Sequence, residues 1–238
     1  MLRSADPSLR GLAPTRGEFA LACAIGLGVV ALRAPLMDLP LERDEGGYAY
    51  AAWRMTLGEW PYSDLFTQKP PGIFFAYRAA LDWFGDSLVS IRALAALCSG
   101  LSSIALFFLV HPLLGRLPAL AAAALLGLLS ADPMIQGSIA NTELFMLPGM
   151  IAAAALFVRV ASAPRVPGAA ALAMGALLGI ATAFKQVAGI HALLFVGIFP
   201  FVPVAAGADG RGRRLAAFVG WASAGGLLIW GAIAVWLG

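Results

Sequence analysis

Charged side chains are scarce in this chain: they make up 12% of its 238 residues, against 61% hydrophobic ones, and the mean hydropathy is +0.85. A soluble domain carries roughly 45–50% apolar residues, so the scarcity excludes any large soluble domain. Cysteine is almost as rare. Cys23 and Cys98 both lie within apolar stretches and form no metal-spaced pair, so core packing is their ordinary role. The two histidines, His111 and His191, are too far apart in sequence for metal-ligand spacing. There is no Walker-type loop, no Rossmann glycine fingerprint and no Gly-x-Ser-x-Gly elbow, so nucleotide-driven chemistry has no visible support. The net charge of +3 comes from basic residues scattered between apolar segments, which excludes the long basic run of a nucleic-acid binder.

Long apolar runs are what the chain does have. A membrane span needs about 20 apolar residues to cross a hydrocarbon core of about 30 Å, and seven candidates stand out, at 18–37, 88–110, 117–131, 143–158, 168–184, 187–206 and 215–237. Turn-forming residues separate them, as at Leu117-Pro118, Pro164 to Pro167-Gly168, and Gly207 to Gly212. The first run follows Arg3, Arg10 and Arg16 and has no small-residue cleavage site after it, which favours an uncleaved first span over a signal peptide. Arginines mark alternate connections: Arg3, Arg10 and Arg16; Arg116; Arg159 and Arg165; Arg211, Arg213 and Arg214. By the positive-inside rule those connections face the cytoplasm, and 38–87, 132–142 and Lys185-Gln186 face outward. The expected fold is all-α, a polytopic transmembrane helix bundle of about seven spans with interfacial helices in the first outer loop.

That loop, 38–87, holds eight of the thirteen acidic residues and four basic ones. Charge in an outer loop is ordinarily a solvated surface, so the arrangement has to carry the argument. Glu42-Arg43-Asp44-Glu45 opens a helix that continues through Gly46-Gly47-Tyr48 toward Gly58. Asp44 fits two roles there, a helix N-cap or a carboxylate fixed at the membrane edge as a general base on an incoming hydroxyl. Lys69 precedes Pro70-Pro71-Gly72, and the prolines hold it extended, as a directed cation at headgroup depth. It fits a lipid-borne phosphate or plain snorkelling equally well. Asn141-Thr142-Glu143 closes the second outer loop, either capping the next helix or placing Glu143 at the mouth of a span as a site residue. Lys185, between two closely spaced runs, suits a second phosphate-facing cation or another snorkelling lysine.

Together, Arg-Asp-Glu-Gly-Gly-Tyr at 43–48, Gly58-Glu59-Trp60-Pro61-Tyr62-Ser63-Asp64, Lys69-Pro70-Pro71-Gly72, Arg92, Thr142-Glu143 and Lys185-Gln186 resemble, in order and spacing, the family-39-like glycosyltransferases of the GT-C class. These include protein O-mannosyltransferases and bacterial relatives that modify lipid A. The likeness spans about residues 20–190. It implies an inverting enzyme that moves a monosaccharide from a polyprenyl-phosphate carrier to a hydroxyl of a glycan, lipid or protein at the outer membrane face. Asp44 would be the catalytic base and Glu45 its support or the acceptor's guide. Lys69 and Lys185 would bind the donor phosphate, and Tyr48, Asp64, Arg92 and Glu143 would line the pocket or meet the acceptor. No cofactor is specified, and a divalent metal stays open; Gln68 stands where some relatives carry an acid that helps bind metal. Membrane lipids, and no nucleic acid, are the other expected partners, and the expected location is a bacterial inner (plasma) membrane with the active site periplasmic. Because family members are usually longer, residues 1–238 are expected to form a single transmembrane module that lacks C-terminal spans and any C-terminal outer domain. The competing readings are a transporter or flippase and a catalytically silent membrane subunit.

Overall fold

Helix boundaries follow from local capping. In the computed structural model, which describes residues 13–135, 137–204 and 208–237, Thr15 and Glu18 form a capping box at the start of α1 (Arg16–Arg33). Arg3 and Arg10, and positions 205–206 of the expected sixth run, lie outside the described residues. Eight further α-helices follow among the described residues: α2 (Arg43–Thr56), α3 (Gly72–Phe84), α4 (Leu88–Leu114), α5 (Arg116–Leu129), α6 (Thr142–Ser162), α7 (Gly168–Phe184), α8 (Ile190–Ile198) and α9 (Arg211–Leu237). Each of the seven apolar runs falls on one or more of these helices. Four segments are long and apolar enough to cross a membrane: Arg16–Leu36, Leu88–Leu114, Thr142–Ser162 and Arg211–Leu237. The helices at Arg116–Leu129, Gly168–Phe184 and Gln186–Phe201 are shorter.

The break between α4 and α5 differs from the expected one. Leu117-Pro118 does not interrupt the chain; Gly115, at φ +84°, makes the turn alone, and Pro118 lies in the first turn of α5, where no intrahelical N–H donor is needed.

Helix α4 packs against α1, α5 and α6, and α7 lies between α6 and α9. Without a strong hydrophobic drive between apolar helices in lipid, close association relies on small residues that let backbones approach. A Cβ on Gly175 would come within 1.9 Å of the Ala222 carbonyl oxygen, and one on Gly225 within 2.0 Å of that of Leu172, so α7 and α9 touch backbone to backbone.

The bundle has two chemically different ends. At one, His111 Nε2 lies 3.6 Å and Arg116 Nε 4.0 Å from the carboxylate of Glu18. Where α6 ends and α9 begins, Arg214 donates to the carbonyls of Ala161 and Ala163 at 2.7 and 3.0 Å, and its guanidinium lies 5.0 Å from the Phe199 ring centroid. At the other end, Arg33 closes α1 onto Ser130, donating to its carbonyl at 2.9 Å and its hydroxyl at 2.8 Å. Helices α2 and α3 lie at this second end and build a core of Tyr48, Ala52, Ile73, Phe74 and Tyr77 against Ile91 and Phe145. Trp236, from the last turn of α9, packs there too, 4.3 Å from the Trp60 ring and 4.2 Å from that of Phe75.

Gly175→Leu is expected to wedge α7 from α9 and destabilise the bundle by about 1–3 kcal/mol, the usual cost of overpacking. Gly220→Leu, where a Cβ meets nothing within 4 Å, is the control. Thermal unfolding in detergent should show a lower Tm for the first variant and little change for the second.

Candidate active site

The site begins with a capping arrangement. Glu42, not Asp44, caps α2: its carboxylate accepts the Asp44 N–H at 3.0 Å, and its own N–H donates to Glu45 Oε2 at 2.9 Å. The Glu-x-x-Glu spacing at 42–45 carried this signal, with glutamate in place of the more usual serine or threonine. Asp44, one residue into the first turn, is thereby free of backbone duty.

Glu45 points the other way. It is 0% exposed and forms an ion pair with Arg92 at 2.8 Å, while its second oxygen accepts the Ala140 N–H at 2.7 Å. Arg92, also buried, donates to the carbonyls of Leu36 and Pro40, each at 2.9 Å. Tyr77 completes the knot by donating to the Ala140 carbonyl at 2.6 Å. Two residues expected near the acceptor thus join α1's exit, the start of α2, the head of α4 and the loop before α6 into one buried network. Every polar atom of Glu45 is occupied, which leaves it no group to offer an acceptor.

Asp44 faces a cleft of about 560 Å³ whose walls include Arg43, Tyr48, Asp64, Phe66, Gln68 and Lys69. Lys69 Nζ lies 3.4 Å from Asp44 Oδ2 and 5.6 Å from the centroid of the Tyr48 ring. The Tyr48 hydroxyl stands 3.5 Å from both Asp44 Oδ2 and Asn141 Oδ1, so its one proton serves either. Burial raises the Tyr48 phenol above its ordinary value, and the adjacent Tyr48 oxygen and then Asp44 hold the Lys69 ammonium above its own. Lys69 therefore stays protonated at neutral pH.

The loop carrying Lys69 is braced from several directions. Asp64 accepts the Trp60 N–H at 2.8 Å and the Ser63 hydroxyl at 3.1 Å, closing a tight turn. Tyr62 within it takes a positive φ of 77°, and its hydroxyl, pushed up to about 12 by burial, donates to the Lys69 carbonyl at 2.7 Å. Past the two prolines, a Cβ on Gly72 would meet the Ala183 carbonyl oxygen at 2.6 Å. Only glycine lets α3 start against the end of α7, beside Lys185.

Lys185 and Glu143 form an ion pair there. Neither lines the cleft, but a polar chain leads from one to the other: Tyr48 to Asn141, whose side chain also caps α6 through the Thr142 N–H at 2.9 Å, then the Thr142 hydroxyl to Glu143 at 3.0 Å. Asn141 as a link to Tyr48 could not be read from the sequence, since nothing local marks a partner 93 residues away. Among the described residues no group of three or more His, Cys, Asp or Glu side chains is placed to hold a metal ion.

Arg92→Met strands a buried carboxylate, an expected loss of about 3–5 kcal/mol. Glu45→Gln keeps one acceptor oxygen but turns an amide NH2 toward donors on its other side and leaves the buried Arg92 guanidinium without a counter-charge, so it should cost a similar amount, and the double mutant, which removes both charges, less than the sum of the two. Comparing denaturation midpoints of the two variants and the double mutant checks this.

A family described as dolichyl-phosphate-mannose-protein mannosyltransferase matches residues 68–236. No curated protein and no solved structure matches the chain. The matched stretch starts one residue before Lys69 and includes Arg92, Glu143 and Lys185; Asp44 and Glu45 lie ahead of it. It covers most of the bundle that carries the cleft, and with it the four apolar helices give an integral membrane protein. The chain belongs to the dolichyl-phosphate-mannose-protein mannosyltransferase family, and it is accordingly a GT-C glycosyltransferase that takes its sugar from a polyprenyl-phosphate donor.

Proposed function

We propose that this protein transfers a monosaccharide, with inversion, from a polyprenyl-phosphate carrier to a hydroxyl acceptor at the extracytoplasmic face, with Asp44 as general base. The observation that carries this reading is the pairing of Asp44 with Lys69 in an open cleft, after Glu42 has taken over the cap. In the free protein each charge satisfies the other. A carrier phosphate would draw Lys69 to itself and leave the carboxylate ready for a proton. Asp44 then removes the acceptor's hydroxyl proton, the oxygen bonds to the sugar's anomeric carbon from the face opposite the phosphate, and the carbon–oxygen bond to phosphate breaks with its electrons going to the phosphate. Lys69 stabilises that charge, which needs a cation more than a proton. Lys185, freed from Glu143, is the second cation within reach of the lipid headgroup layer. Tyr48 orients Asp44, and Asp64 shapes the acceptor side of the cleft by holding its turn.

The arginines support the outward orientation. The sequence places nine basic residues on connections remote from the cleft (Arg3, Arg10, Arg16, Arg116, Arg159, Arg165, Arg211, Arg213 and Arg214) against seven at the cleft end (Arg33, Arg43, Arg54, Lys69, Arg78, Arg92 and Lys185), which by the positive-inside rule favours the remote end as cytoplasmic. Charges gathered at the cleft end, rather than along a path through the bundle, favour surface chemistry over transport. Acceptor and sugar are tested together by incubating the purified protein with radiolabelled polyprenyl-phosphate sugars, dolichyl-phosphate mannose first. Transfer supports the enzyme, movement of the carrier across vesicles without transfer supports a flippase, and neither supports a silent subunit.

Asp44→Asn keeps the size of the side chain but is a poor base, so turnover should fall by about 10²–10⁴ with donor binding retained. Lys69→Ala should instead weaken binding of the carrier lipid. A full transfer rate in Asp44→Asn, or unchanged carrier affinity in Lys69→Ala, removes the respective assignment.

For topology, Ser63→Cys and Gly210→Cys are made with Cys23 and Cys98 replaced by alanine. An impermeant thiol reagent should label the first in intact cells and the second only after lysis. The opposite pattern would place the cleft on the cytoplasmic side.

A further inference from the structure

The exposed side of α2 carries a feature that the base and its lysine do not use. Asp44, Gly47, Tyr50 and Trp53 fall three positions apart on that helix, so they are successive neighbours along one ridge of its surface. The first three line the cleft. Tyr50 also lines, with Trp53, a second hollow of about 400 Å³ between α2, the end of α3 and the start of α4. The two hollows thus share Tyr50 as a wall, and the ridge leads from Asp44 to Trp53 over about 14 Å at 1.5 Å per residue. Nothing crowds the way, since a Cβ on Gly47 would meet no atom within 4 Å.

The two rings are held in place. Arg54 donates to the Tyr50 hydroxyl at 2.5 Å, lies 5.5 Å from the Tyr50 ring centroid and is itself fixed by an ion pair with Glu59. Trp53 stands 6.1 Å from Tyr50, the ring planes inclined by 42°, and about half of each side chain is exposed. Asp86, exposed just before α4, lines the same hollow. Among the described residues its carboxylate makes no hydrogen bond or ion pair, and the Trp53 indole N–H has no acceptor.

Exposed aromatics beside a membrane ordinarily anchor a helix among the headgroups. These two face a hollow that also offers an unspent donor and an unspent anionic acceptor. That set complements a pyranose ring, whose C–H faces stack on aromatic rings and whose rim of hydroxyls needs both a donor and an acceptor. An extended peptide would instead need free backbone N–H and C=O groups to pair with, and the middle of a helix spends its own internally. We propose that the Tyr50/Trp53 hollow is a sugar subsite for the acceptor, so that the hydroxyl presented to Asp44 belongs to a glycan long enough to reach Trp53. The assignment rests on the transferase reading given above and names the acceptor class for it.

The test uses the full chain in detergent with radiolabelled polyprenyl-phosphate sugars, dolichyl-phosphate mannose first. Solubilised membranes from the cell that bears the protein, with its gene deleted, supply the acceptor. Partial acid hydrolysis of the product should release a labelled disaccharide. Trp53→Leu stays apolar but loses the ring face, so the acceptor KM, read by titrating the membranes, should rise about three- to tenfold, the scale of one aromatic contact. Trp53→Tyr should stay near wild type, and neither variant should change the donor KM or the release of sugar to water. If Trp53→Leu lowers the Tm, Asp86→Ala is read instead, with the same expectation. Label attached directly to serine, threonine or a lipid hydroxyl overturns the subsite and leaves the transferase standing. A wild-type acceptor KM in Trp53→Leu does the same and makes Trp53 a membrane anchor. Neither transfer nor release of sugar by the wild type overturns both readings.

Discussion

The Glu45–Arg92 ion pair is the constraint on which the cleft end depends. A fully buried carboxylate and guanidinium are tolerable only when paired and when their remaining hydrogen-bonding capacity is met, and here it is met by backbone from separate parts of the chain: Leu36, Pro40, Glu42 and Ala140. These partners come from two segments, 36–42 and the loop before α6, which the pair ties to the head of α4. The pair thus sets the first turn of α2, and with it the direction of Asp44, from a buried position behind the cleft wall. Adjacent residues divide the labour, Glu45 turned into the protein and Asp44 turned toward the cleft, as neighbours about 100° apart on a helix must.

Around that fixed point the rest of the site is brought together by close backbone contact. Gly72 lets the Lys69 loop settle on the end of α7, and Gly175 with Gly225 let α9 lie against α7 so that Trp236 reaches Trp60 and Phe75. The two lysines come from loops more than a hundred residues apart in sequence, yet both occupy the end of the bundle where α2 and α3 lie. The charge on that end is balanced locally, Asp44 with Lys69 and Glu143 with Lys185.

Legibility in the sequence varied with the range of the interaction. Helix α2 is legible because its capping signals lie within four residues of one another, but of the two roles open to Asp44 the N-cap falls to Glu42, two positions earlier: Asp is the commoner N-cap, and only the backbone shows that Glu42 reaches the Asp44 N–H. The α4–α5 turn was misplaced for a similar reason. Pro118 looked like the break, but proline in a first turn interrupts nothing, and Gly115 had already turned the chain. The sequence puts Glu45 beside the expected base and Arg92 in the pocket; their opposite signs, 47 residues apart, give no indication that they neutralise each other in the interior.

Composition and the spacing of apolar runs determined by themselves that this is a helical membrane protein, because an apolar run of that length can satisfy its backbone in lipid only as a helix. The same linear information marked Asp44, Lys69, Glu143 and Lys185 as unusual, since charges are rare where the chain meets a membrane. What the tertiary structure alone decided is which charges face each other and which are shut away. Glu45 and Asp44 are indistinguishable as neighbouring acids in a sequence, and they part only when the side chains of α3, α4 and the loop before α6 close over one and leave the other beside Lys69. Burial and pairing are properties of the packed surface, set by contacts between segments that no local pattern connects.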